Sequence, residues 1–204
     1  CICMDSKISK DYWVRELKRL LKANGDHPNY PRYNGRYVVC TYQFLQWENQ
    51  QPGGWTIEEW KQLRAELKEA GIELYIIANA APLPNEKLNL DRLERALDVY
   101  DCVYLFDAPG HAEETPEVNN GKLADFCRKN GKRFMACLHP GYYGAWLWGF
   151  NDFYNPFRGF DMFYRMFASA RKHKAQWTHL TTWNDLVETA VLPRVFTFGL
   201  AHTL

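Results

Sequence analysis

The sequence predicts an α/β protein of the (β/α)8 TIM-barrel class, with about six βα units in this chain and the first two missing. Three observations lead there. Six short apolar runs of β-forming residues alternate with five helical stretches, and the midpoints of the runs lie about 28 to 44 residues apart, which accommodates a βαβ unit of roughly 30 residues. Strict alternation of this kind implies a parallel sheet. No Gly-rich phosphate turn follows the first run, as an open nucleotide-binding sheet would require, whereas polar or aromatic residues follow every run. Spreading such residues over the C-terminal ends of all strands is the habit of a barrel. The 204 residues form a single catalytic domain, 1–204, at the lower end of the ~200–400 residues typical of that fold, and a start at Cys1 reads as an N-terminal truncation.

The first run, Cys1–Asp5, leads into a helix whose apolar residues Trp13, Leu17, Leu20 and Leu21 recur at three and four. Residues 26–36 then form a Pro/Asn/Gly turn region before the second run, Tyr37–Tyr42. Trp60, Leu63 and Leu67 mark the second helix, which Thr56 and Glu59 open as a capping box and Gly71 ends. The third run, Glu73–Ala80, precedes the stripe Leu90, Leu93, Leu97; the fourth, Cys102–Phe106, precedes Leu123, Phe126 and Cys127. Arg133–Leu138 is the fifth, followed by the stripe Phe160, Phe163, Tyr164, Phe167, and Thr178–Trp183 is the sixth. Their near-continuous apolarity suits strands covered on both faces.

Charge and composition narrow the function. With 25 basic and 24 acidic residues the net charge is +1, so no field selects a nucleic acid or an anionic membrane as partner. No apolar run reaches the ~20 residues of a membrane span. Six cysteines show no zinc-type spacing and six histidines no paired spacing, so neither a metal nor another cofactor is expected. Cys3, Cys40, Cys102 and Cys137 lie within apolar runs and are expected to be buried as small hydrophobes. Aromatic residues make up 16% of the chain, more than core filling needs, so some are expected to face a ligand. A monomer is expected.

The segment Thr181-Thr182-Trp183-Asn184-Asp185-Leu186-Val187-Glu188-Thr189 stands at the end of the last run. Asp185 and Glu188 there fit two readings. As a carboxylate pair they could share the acid and base roles of glycoside hydrolysis, one protonating the leaving oxygen and the other acting as base or nucleophile. Alternatively, Asp185 caps a turn or helix and Glu188 is a solvated charge in its first turn. The loop 139–150 holds Tyr142, Tyr143, Trp146, Trp148 and Phe150 among small residues, either as stacking faces for sugar rings or tucked against the barrel rim. Asp5, Asn79 and Asp107 end their runs as candidate binding groups, and Trp183 and Asn184 adjoin the carboxylates. Asp5 could equally cap the turn into the first helix. No lysine ends a run, which disfavours a Schiff-base lyase or aldolase.

These segments resemble glycoside hydrolase family 71, the endo-α-1,3-glucanases or mutanases. His27-Pro28-Asn29-Tyr30-Pro31-Arg32-Tyr33-Asn34-Gly35-Arg36-Tyr37-Val38-Val39-Cys40-Thr41-Tyr42 is similar to that family's HP-x-Y-x-x-Y-N-G-x-P-V-V-S-T-F stretch, and Thr182-Trp183-Asn184-Asp185-x-x-Glu188-Thr189 to its T-W-N-D-Y-G-E-S. Family 99-like proteins carry a comparable W-N-E-W-x-E. The resemblance implies a secreted (β/α)8 hydrolase cleaving a glucan, with Asp185 and Glu188 as the catalytic pair and Asp5 matching a carboxylate of the family's S-F-D stretch. It further implies inversion, which needs the two carboxyls about 6.5–9.5 Å apart against about 5–5.5 Å for retention. Leu186-Val187 replaces the family's Tyr-Gly, and Ala190-Val191 follows where a His-Tyr pair is usual. Two other functions stand beside hydrolysis: a non-catalytic carbohydrate-binding barrel, and an inactive structural fragment.

Overall fold

A computed structural model describes residues 2–44, 54–80, 88, 90–106, 115–138, 142–143, 154–155, 161–180, 184–185 and 190–191. Two compact units divide the chain: Cys1–Ala80 with Asn89–Val103, and Ala81–Leu88 with Tyr104–Leu204.

The first unit contains β1 (Ile2–Asp5), α1 (Lys10–Asn24), β2 (Arg32–Tyr33), β3 (Arg36–Gln43), α2 (Ile57–Glu69), β4 (Leu74–Asn79), α3 (Leu90–Arg95), a 3-10 turn at Leu97–Val99 and the start of β5 (Cys102–Tyr104). Its strand order is β1-β3-β4-β5, with β1 parallel to β3 and β3 parallel to β4. Both crossovers are helical, as parallel neighbours require. Ser9 opens α1 by accepting from Tyr12 N at 3.3 Å, and the helix buries Val14, Leu17 and Leu21. The expected capping box opens α2: Thr56 Oγ1 accepts from Glu59 N, and Glu59 Oε2 accepts from Thr56 N at 2.8 Å. Trp60, fully buried, packs on Trp55 and Phe44 with ring centroids 4.5 and 5.0 Å away and donates to the Phe44 carbonyl.

Alternation along β3 sorts its two faces. Tyr37, Val39 and Thr41 point to the helical layer: a side chain at Gly25, just past α1, would meet the Tyr37 hydroxyl at 2.6 Å. Val38, Cys40 and Tyr42 therefore lie on the face away from the helices. Parallel register carries the same division to β1, where Met4 beside Thr41 is fully buried and Cys3 beside Cys40 is exposed. The expectation that Cys3 is buried is thus incorrect, because strand parity sends it to the face that no helix covers. Cys40 is half-buried, while Cys102, Cys127 and Cys137 are buried, and no disulfide joins any of these five.

At the opposite end of these strands, Asp101 ties three elements together. Its carboxylate meets Arg36 Nη1 at 2.6 Å and Arg64 Nη1 at 3.4 Å, and accepts from Ile76 N at 3.0 Å. The expected turn region 26–36 contains a β-hairpin. Asn34 and Gly35 take φ of 48° and 78°, the positive pair that a two-residue type I′ turn demands, and β2 pairs antiparallel with β3 through them. Arg32 stacks 3.9 Å from the centroid of the Tyr37 ring and donates to its hydroxyl.

The second unit contains α4 (Thr115–Lys129), β6 (Arg133–Leu138), β7 (Tyr142–Tyr143), β8 (Tyr154–Asn155), α5 (Asp161–Lys172), β9 (Trp177–Leu180), β10 (Asn184–Asp185) and β11 (Ala190–Val191). β6 and β9 are parallel, and α4 and α5 pack on β6. Gln176 fastens the start of this pair, donating its N–H to the Phe134 carbonyl and accepting from Phe134 N with its side chain. β7 with β8, and β10 with β11, form short antiparallel pairs that hydrophobic periodicity does not signal. Each of the six expected runs contains a strand, and among the described residues the five stripes lie on helices except for Leu97, which falls in the 3-10 turn past α3. The last strand ends at Leu180, and 181–183 and Phe160 lie outside the described residues. Among the described residues no helix is long and apolar enough to cross a membrane.

Candidate functional site

In the first unit the C-terminal strand ends are held by a small polar network. Thr41, fully buried, donates its hydroxyl to the Ile77 carbonyl at 3.4 Å and accepts from Asn79 N at 3.0 Å. Asn79 in turn donates its side-chain amide to the Tyr42 carbonyl, so the ends of β3 and β4 are locked in register. Asp5 ends β1 at a bulge; its Oδ1 accepts from Lys7 N at 2.9 Å and its carbonyl from Trp13 Nε1 at 2.9 Å. These bonds serve the turn into α1, the structural one of the two roles open to Asp5.

In the second unit β5, β6 and β9 contribute a cluster around His179. The Tyr104 ring stands edge-on to the imidazole at 5.1 Å and the Phe106 ring is 6.1 Å away. Cys137, the direct register partner of His179, places its Sγ 4.0 Å from Nδ1. Burial pushes the imidazole pKa below its ordinary value, since a charged ring among these groups would lose its hydration. The neutral ring is a hydrogen-bonding group. The sequence reading did not single out His179, although its parity with Trp177, the other half-buried position of its strand, was a usable signal.

Within the expected carboxylate segment, Asn184 lies four residues past the end of β9. Asn184 pairs with Val191 and Asp185 with Ala190, so Asp185 lies in a strand pair and not at a helix start. Glu188 and Trp183 lie outside the described residues, as do Trp146, Trp148 and Asp107. Tyr142 and Tyr143 form β7 and pair with Asn155 and Tyr154. Among the described residues no three His, Cys, Asp or Glu side chains gather as a metal site.

Parallel strands joined by helices, with polar and aromatic groups at their C-terminal ends, define the (β/α)8 barrel class, of which this chain carries six strand units. Within that class its fold is that of solved glycoside hydrolase structures. Two structures of the GH99 endo-α-mannosidase from Bacteroides thetaiotaomicron, the second in complex with bis-tris-propane, match with TM-scores of 0.72 and 0.73 at 18% identity, over 94% of this chain. A glycoside hydrolase-like protein matches over 91% of the chain with a TM-score of 0.68 at 12% identity. The chain spans only 55%, 58% and 54% of these structures, a little over half their length. No protein-family model and no curated protein sequence matches it.

Proposed function

We propose that this protein is a glycoside hydrolase acting on an α-linked oligo- or polysaccharide through Asp185 and Glu188. The observation that carries the proposal is the fold match over 94% of the chain to a GH99 endo-α-mannosidase; in this chain the Asp185 and Glu188 segment follows the last parallel strand in sequence. One carboxyl protonates the glycosidic oxygen as the C–O bond breaks; the other removes a proton from the attacking water or attacks the anomeric carbon itself. Trp183, Asn184 and the aromatics of 142–148 form the sugar platform. The resemblance to family 71 favours endo-cleavage of α-1,3-glucan with inversion, and the solved neighbours favour an α-mannoside. A polymeric substrate is met outside the cell, which supports secretion.

Hydrolysis of α-1,3-glucan and of α-mannan by the protein and its Asp185→Asn and Glu188→Gln variants tests this. Each variant is expected to lose at least about a thousandfold in kcat with folding unchanged; rates equal to the parent's would overturn the assignment. Leu186-Val187, in place of the family's Tyr-Gly, favours a second reading as a carbohydrate-binding barrel without turnover, since a β-branched Val does not take the positive φ open to Gly. Glycan binding with no released sugar would decide for it.

A further inference from the structure

Two neighbouring helices of the second unit each bury a polar side chain. Asn120 on α4 is 3% exposed and Ser169 on α5 is 5% exposed, and among the described residues of that unit they are the buried polar side chains. Around them the covered faces are apolar, with Leu123, Ala124 and Cys127 on α4 and Met162, Met166 and Ala170 on α5. Among the described residues neither Asn120 Nδ2 nor Ser169 Oγ has a hydrogen-bond partner.

Both depart from what such residues do on a helix. Asn24 and Asn130, at the ends of α1 and α4, return their side-chain amides to the carbonyls four residues earlier, those of Leu20 and Phe126. Asn120 lies inside α4, where the backbone holds that carbonyl. A helical serine commonly turns its hydroxyl onto the carbonyl one turn back, and Ser169 does not. The two groups are therefore directed off their own helices.

The helices meet at this level. A Cβ at Gly121, the residue after Asn120, would lie 3.1 Å from Cε1 of His173. His173 stands one turn beyond Ser169 on the same side of α5, with its N–H on the Ser169 carbonyl at 3.0 Å. Both helices also pack on β6. A buried donor without an acceptor loses its hydration for nothing, so protein interiors pair such groups with protein or with ordered water. Water suits this pair, since it has lone pairs for the amide and hydrogens for the hydroxyl oxygen. An ion is not favoured, because among the described residues neither helix buries a charged side chain to neutralise it.

We infer that α4 and α5 enclose an ordered water molecule that accepts from Asn120 Nδ2 and donates to Ser169 Oγ, a bridge that fixes the spacing of the two helices. The inference is independent of the glycosidase reading.

A crystal structure of the protein is expected to show a density peak about 2.7–3.2 Å from both atoms. A peak within reach of one atom or neither, or a direct bond between Asn120 and Ser169, overturns the inference. Thermal unfolding gives a readout without a crystal. Ser169→Ala is expected to lower the midpoint by about 2–4 °C, because the water loses a partner and Asn120 keeps an incompletely held one. Alanine is the better helix former, so helix propensity works against this result. Asn120→Leu with Ser169→Ala removes both reasons for the water and is expected to lower the midpoint by less than the sum of the two single changes. A midpoint unchanged or raised in Ser169→Ala, or losses that simply add, overturns the bridge. Ser169→Ala removes one oxygen only, so a folding defect in the Asn120→Leu proteins leaves the test standing.

Discussion

Individual side chains in this protein owe their behaviour to which face of a strand they occupy. Cys40 shows it: burial, followed by the nearby Cys3 and Cys102 thiols, pushes its pKa from 9.0 up to about 12. Burial does the same to Cys127, also to about 12. In both, the folded state holds a proton that the unfolded chain releases near pH 9. Their contribution to stability is therefore complete below pH 9 and lost as pH rises toward 12. Urea midpoints measured across that interval should fall less steeply in a Cys40→Ala/Cys127→Ala variant than in the parent, and parallel curves would contradict the assignment. His179 is the converse case, a ring kept neutral by the same desolvation. The face that Cys3 takes is not legible in the sequence, because a thiol in an apolar run has the same neighbours in the chain whether it faces helices or open space.

At the scale of elements, the sequence was most informative where local chemistry is self-contained. The capping box of α2 and the apolar stripes of the helices need only residues three and four apart, and they form as expected. The hairpin of β2 and β3 was legible in Asn34-Gly35, since this dipeptide suits the positive φ pair of a type I′ turn, yet the flanking prolines and Asn29 made the region look like irregular turn alone. Part of the family-like motif is accordingly structural: Arg32, Tyr33 and Tyr37 build the hairpin and its packing. Gly35→Val is expected to cost about 1–3 kcal/mol, since a β-branched residue at φ of 78° is strained. Chemical denaturation reads this directly, with Gly35→Asn, which tolerates such φ, expected to lose less. β7, β8, β10 and β11 are two residues each, too short for any periodic signal.

For the molecule as a whole, the proposed glycosidase activity and the balanced charge together predict a neutral ligand. Net charge of +1 leaves no long-range field for salt to screen. KM for an α-linked oligosaccharide should therefore change less than about twofold between 50 and 500 mM salt, and a steep decline in affinity would indicate an anionic partner. The expectation of six strand units was legible because each unit repeats one pattern, an apolar run followed by an amphipathic stripe, and the match to solved glycoside hydrolases over 94% of the chain agrees with it.

By itself the sequence determined the alternation of strands and helices, the caps, and the carboxylate segment beyond the last strand, all of which depend on neighbours within a few residues. Tertiary structure alone decided that Cys3 is exposed, that Asp185 sits in a strand pair, that His179 meets Tyr104, Phe106 and Cys137, and that Asn79 donates to the Tyr42 carbonyl. The physical reason is register. Which side chains meet across parallel strands depends on how strands separated by some 30 or 40 residues align, and no local pattern carries that offset.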